Sequence, residues 1–175
     1  MFETGTPCAG ETDLEESTIR VLVVDDYEPW RRFLTSTLQK EPVLQVIGEV
    51  SDGMDAVHQA KQFRPDLILL DIGLPTLNGI EAARRIRDVS PASKILFVSE
   101  NRSPDIAEQA LSTGAGGYLV KSDAGSELLP AVKAVLEGKR FISASLAGHC
   151  LMATTLSTTT QTIVSSVITL ILGVR

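Results

Sequence analysis

The chain has 175 residues, room for one domain of ordinary size with its own core and with extensions. A hydrophobic content of 43% and a charged content of 22% argue against wholesale disorder and against a polytopic membrane protein. The net charge of -6 leaves no basis for a nucleic-acid footprint, and the two isolated cysteines, Cys8 and Cys150, argue against a disulfide framework or metal knuckle and fit a reduced, cytoplasmic setting.

Residues 1–17 have neither a basic start nor an apolar stretch, so they read as a flexible acidic leader and not as a secretory signal. IRVLVV then predicts a buried strand, which ends abruptly at the acidic pair Asp25-Asp26. Pro29 lies near the next helix start, and Trp30, Phe33, Leu34, Thr37 and Leu38 fall on one helical face before Pro42 stops it. VLQVIGEV supplies a second strand. Ala56, Val57, Ala60 and Phe63 share the face of the helix that follows, with His58 off that face and solvated.

The third strand, DLILL, ends at Asp71, and IGLPTLNG leads into a helix carrying Ile80, Ala83 and Ile86, with Glu81 and Arg85 paired four apart. KILFV predicts the fourth strand, stopping at Ser99. Ser103-Pro104 reads as an N-cap with proline at the first helical position, Ile106, Ala107, Ala110 and Leu111 form the apolar face, and Gly114 ends the helix. The GAGG run lacks the full dinucleotide-binding spacing and precedes a strand, so it is helix stop and strand entry. AGGYLV is the fifth strand, followed at once by Lys121. A last helix over 126–137 buries Leu128, Leu129, Val132, Val135 and Leu136 and closes at Gly138.

Residues 143–175 break from this pattern: no charged side chain occurs before Arg175, and TTLSTTTQT is almost wholly Thr and Ser. They are expected to be an uncharged tail, with no complete output domain, that docks on a partner or on its own domain or stays unstructured. Its apolar stretch is too short to span a membrane unless the Thr-rich residues are recruited.

Five strands alternating with five helices over 18–142 predict an α/β fold, a doubly wound parallel sheet with right-handed crossovers. The flavodoxin-like order 2-1-3-4-5 sets strands 1 and 3 side by side at the switch point, where ligands bind such sheets. Asp25, Asp26, Asp71, Ser99 and Lys121 then converge on one crevice, a composition suited to a hard divalent cation and a phosphoryl group. Taken singly, each has a plainer reading: helix N-cap for the acidic pair, loop residue for Asp71, loop cap for Ser99, solvated amine for Lys121. Tyr118 alone would be a core aromatic with its hydroxyl toward water.

The segments VLVVDDYEPWRRFL, LILLDIGLPTLNGIEAARRIR, ILFVSE and GAGGYLVKSD resemble, in order and spacing, the receiver domain of two-component response regulators, in the branch usually joined to a helix-turn-helix output. The resemblance implies that Asp71 is the phosphoacceptor for a histidine kinase or a small acyl phosphate, so that the chain is a regulatory domain and not an enzyme. It implies Mg2+ held by Asp25, Asp26, Asp71 and the main-chain carbonyl of Gly73, and phosphoryl oxygens met by Lys121 and the Ser99 hydroxyl. It further implies a switch in which Ser99 moves toward Asp71 and Tyr118 rotates inward, with a homodimer through the fourth helix, fifth strand and fifth helix as one output.

Three features depart from the pattern of that family. Glu100 stands where a small residue is usual and is expected to modulate donor access, and Ser122 replaces a common proline. Only one basic residue, Arg175, follows position 142, so direct nucleic-acid contact is not expected. Two alternatives stay open: a haloacid-dehalogenase-like phosphatase, which would need an acid at position 73 where Gly73 stands, and a pseudo-receiver that binds partners without phosphorylation.

Overall fold

The computed structural model describes residues 18–147, so the leader and the chain beyond 147 lie outside the described residues. The strands are β1 (Ile19–Val24), β2 (Leu44–Val50), β3 (Leu67–Leu70), β4 (Lys94–Ser99), β5 (Gly117–Val120) and β6 (Phe141–Ile142). The helices are α1 (Glu28–Leu38), α2 (Gly53–Phe63), α3 (Gly79–Val89), α4 (Pro104–Ser112) and α5 (Ala124–Leu136). All strands are parallel, in the order β2-β1-β3-β4-β5-β6. The first five follow the order expected from sequence.

Alternation along the buried strands builds two cores. Leu22, Val24, Ile68, Leu70, Ile95, Phe97 and Tyr118 face α2, α3 and α4, where Ala56, Ala60, Ala83, Ile86, Ala107 and Ala110 receive them. Their neighbours Val21, Val23, Leu67, Leu69, Leu96, Val98 and Leu119 face α1 and α5, packing on Leu34, Leu38, Leu128, Val132 and Val135. Because both faces are covered, the inner strands β1, β3, β4 and β5 carry largely apolar runs up to the edge that meets solvent.

A short sixth strand adds to the five expected. After α5 the chain reverses at Gly138, whose φ of 78° only glycine adopts freely. Lys139 N–H donates to Ala134 O at 2.9 Å and Gly138 N–H to Val135 O at 3.0 Å, the paired bonds of a Schellman stop. Phe141 and Ile142 then lie alongside Gly117 and Tyr118. Two residues are too few to show a strand period in sequence. The chain goes on to pack beyond position 142: Ser143 is buried, its Oγ accepting from Val120 N–H at 2.8 Å, and Leu146 joins the core of the α2–α4 face.

α5 also begins two residues earlier than expected, at Ala124, and carries Pro130 in its interior. The proline removes one backbone donor, yet the helix continues on the strength of its buried face. Among the described residues no helix is long and apolar enough to cross a membrane.

Candidate functional site

Register brings the strand ends together. Val24 pairs with Leu70 and Leu70 with Phe97, so Asp25 and Asp71 emerge at the same level of adjacent strands. Asp71 N–H donates to Val24 O at 2.9 Å and Asp25 N–H to Val50 O at 3.1 Å, fixing both backbones to the sheet. α3 closes on this edge from the other side: a Cβ at Gly79 would lie 1.9 Å from Asp71 O. Only glycine permits that approach.

The side chains converge as the sequence suggested. One oxygen from each of Asp25, Asp26 and Asp71 lies within 4.8 Å of the other two, with Asp25 and Asp71 buried and Asp26 exposed. Lys121 Nζ stands 2.6 Å from Asp25 Oδ2 and 3.3 Å from Asp71 Oδ2. The remaining oxygens are tied locally, Asp71 Oδ1 by Ile72 N–H at 2.7 Å and Asp25 Oδ1 by Tyr27 N–H at 2.9 Å. Gly73 is next to the cluster, a Cβ there falling 3.6 Å from Asp71 Oδ2.

Burial pushes the Asp71 carboxyl above its ordinary range; Lys121 opposes this and the Asp25 charge adds to it. Burial would depress Lys121, but its bonds and charge interactions with Asp25 and Asp71 overcome that and hold the ammonium above its usual range. The site is therefore a pair of crowded carboxylates short of positive charge. Asp25 Oδ2 is buried and accepts no well-aligned hydrogen bond, so it keeps a lone pair for a further cation. That all-oxygen, hard-donor set fits Mg2+.

Ser99, at the end of β4, and Tyr118, two residues before the end of neighbouring β5, are joined through a residue that sequence reasoning passed over. Ser99 Oγ accepts from Asn101 N–H at 3.2 Å, and Tyr118 Oη donates to Asn101 O at 2.9 Å. Both faces of one peptide segment are thus read by the two side chains. Tyr118 is completely buried, its hydroxyl reaching the backbone of the loop after β4. Its packing against the α2–α4 core accounts for that. Burial raises the phenol above its usual range, with the Asp71 charge adding to the effect and the Ser99 hydroxyl opposing it.

Glu100 is exposed and lines a cleft of about 380 Å³ beside the carboxylates, together with Tyr27, Trp30, Arg102, Lys121 and Ser122. Arg102 donates to Ser122 Oγ at 2.8 Å, linking the loops that follow Ser99 and Lys121. Trp30 lies with its ring centroid 5.6 Å from Lys121 Nζ. Its place one turn past the acidic pair was the only sequence signal for this.

Comparison with known proteins agrees with this arrangement. Residues 21–133 match the model of the response regulator receiver domain. The transcriptional regulatory protein DegU of Brevibacillus brevis is 34% identical over 129 residues, covering 74% of this chain and 55% of its own length. Response regulator GacA of Pseudomonas viridiflava is 33% identical over 129 residues, covering 74% of this chain and 60% of its own length. The chain thus spans somewhat over half the length of these relatives. Among solved structures, a LuxR-family two-component response regulator from Aurantimonas sp. SI85-9A1 superposes with a TM-score of 0.72 at 33% identity, over 75% of this chain and 94% of that one. The signal receiver domain of the putative response regulator NarL from Mycobacterium tuberculosis gives 0.67 at 32% identity, over 70% and 99%. With the match running through every strand end that carries a site residue, the chain belongs to the response regulator receiver domains of two-component systems.

Proposed function

We propose that this receiver domain accepts a phosphoryl group on Asp71 from a partner histidine kinase, and acts as a regulatory phosphoacceptor and not as a turnover enzyme. The observation that carries the proposal is the buried Asp71 carboxylate with Lys121 Nζ at 3.3 Å and two more carboxylates within 4.8 Å. A carboxylate oxygen of Asp71 attacks phosphorus; the bond from phosphorus to the donor's imidazole nitrogen breaks, and the electron pair leaves with the imidazole. Asp25, Asp26, Asp71 and the Gly73 carbonyl would hold Mg2+, which when bound neutralises the clustered carboxylates and the incoming phosphoryl oxygens. Lys121 supplies a compact charge to those oxygens, and the Ser99 hydroxyl donates to another.

Moving Ser99 toward the phosphoryl group withdraws its oxygen from Asn101 N–H. The Asn101 peptide, also held by Tyr118, is then freed to shift, and with it the start of α4. In this form the switch runs through the loop and not through inward rotation of Tyr118. The output is protein contact, through homodimerisation on the α4–β5–α5 face, in a cytoplasmic setting. The described residues make no direct contact with nucleic acid in this reading, in keeping with the net charge of -6. Incubation with Mg2+ and acetyl phosphate should add one phosphate, detected by intact mass, and Asp71→Asn should abolish the addition. Equal addition to that variant would refute the assignment.

A further inference from the structure

We propose that Trp30 is a positioning residue for Lys121, an inference that rests on the phosphoacceptor reading of Asp71. The ammonium has two kinds of neighbour. These are the carboxylate oxygens Asp25 Oδ2 and Asp71 Oδ2 and also the Trp30 ring, whose centroid lies 5.6 Å from Nζ, inside the range at which an aromatic face attracts a cation. The Lys121 side chain is only 11% exposed, so little water competes for it.

The ring is itself held firmly. Trp30 stacks on Phe33 at a centroid distance of 4.8 Å, and both pack against the α1–α5 core. The start of α1 that carries it is tied to the residue that Lys121 touches: Tyr27 N–H, at the N-cap, donates to the carboxylate at Asp25 Oδ1, and Arg31 Nη1 donates to the main-chain carbonyl of Asp25 at 2.6 Å. Asp25 and Trp30 therefore reach Lys121 as two arms of one short segment.

At rest the two carboxylates suffice to hold the ammonium. During phosphoryl capture their oxygens are needed elsewhere, and Lys121 must release Asp25 while still pointing at the oxygens arriving on Asp71. The cleft beside it offers a way out, and exposed Glu100 on the cleft wall attracts a freed ammonium in that direction. The Trp30 face attracts the cation without occupying any carboxylate or phosphoryl oxygen. That keeps Lys121 over the site when its resting partners are taken.

A double-mutant cycle separates this role from ordinary packing. Phosphate uptake from acetyl phosphate should slow roughly fivefold in Trp30→Leu at saturating donor, with the half-saturating donor concentration unchanged, and Trp30→Phe should restore most of the rate. In a Lys121→Gln background, Trp30→Leu should cause no further slowing. In metal-free protein, Lys121→Gln should also change the emission of Trp30, the single tryptophan. Unchanged uptake in Trp30→Leu, the same slowing with and without Lys121, or emission indifferent to Lys121→Gln would each overturn the inference. Failure of the unmutated protein to take up phosphate would instead remove the phosphoacceptor reading and this inference with it, before any variant is compared.

Discussion

Asp71 sits at the point where folding and function conflict. Its carboxyl is pushed upward by burial first and by Asp25 second, with Lys121 insufficient to reverse the shift. A raised folded pKa means that the native state binds more protons than the unfolded chain, so ionised Asp71 destabilises the fold above the ordinary carboxylate range and ceases to do so below it. In the absence of divalent cations, Asp71→Asn should therefore raise the melting temperature at pH 7, with the gain shrinking as the pH falls toward 4. A thermal scan across that range checks it; a lowered melting temperature at pH 7 would show that the ion pair with Lys121 outweighs the burial. Asp52 has the opposite sign. Slight desolvation pushes it up, but hydrogen bonds involving Thr76, Met54 and Asp55 overcome this and hold it below the usual range. Its contribution is present at neutral pH and is lost as the pH falls below the ordinary carboxylate range, and Asp52→Asn should flatten that acid arm of the profile.

Among the elements, those with a long period were legible and the short ones were not. β1, β3, β4 and β5 each announce themselves by an apolar run ending in a polar residue, because burial on both faces leaves no room for polarity until the edge, whereas β2, at the side of the sheet, carries exposed Gln45 and Glu49 within it. Asp25, Asp71 and Lys121 could be placed on that evidence, and Trp30 could be placed near them but not oriented, since stacking on Phe33 is a packing outcome. The β6 strand and the turn after it carry no period. Their role is packing: Ser143 Oγ satisfies Val120 N–H, Ser145 Oγ donates to Asp123, and Ala144 N–H donates to Glu127 Oε1 at 3.3 Å. Leu146→Ala should cost about 2–5 kcal/mol by chemical denaturation, the range for a buried leucine, and a chain truncated after residue 142 should melt below one truncated after 147. Equal melting would show that this segment adds nothing to the core. Gly79→Ala should be more damaging still, because its methyl would meet the Asp71 carbonyl with backbone on both sides.

For the molecule as a whole, one parallel sheet with helices on both faces turns four distant segments into a single rim. The strands fix the level of each carboxylate, α1 supplies the ring beside Lys121, and α3 seals the edge through Gly79. The loops after Ser99 and Lys121 are linked by Arg102 and Ser122, and the end of β5 is tied to the returning chain by Val120 N–H on Ser143 Oγ. The proposed function depends on those groups acting on one phosphoryl group. A crystal structure of the protein with Mg2+ and beryllofluoride tests this most directly. The expected density shows the beryllium on an Asp71 carboxylate oxygen, Lys121 Nζ and Ser99 Oγ bonded to its fluorines, and the metal on Asp25, Asp26 and Asp71; a complex that forms elsewhere, or Lys121 turned away from an occupied Asp71, would contradict it.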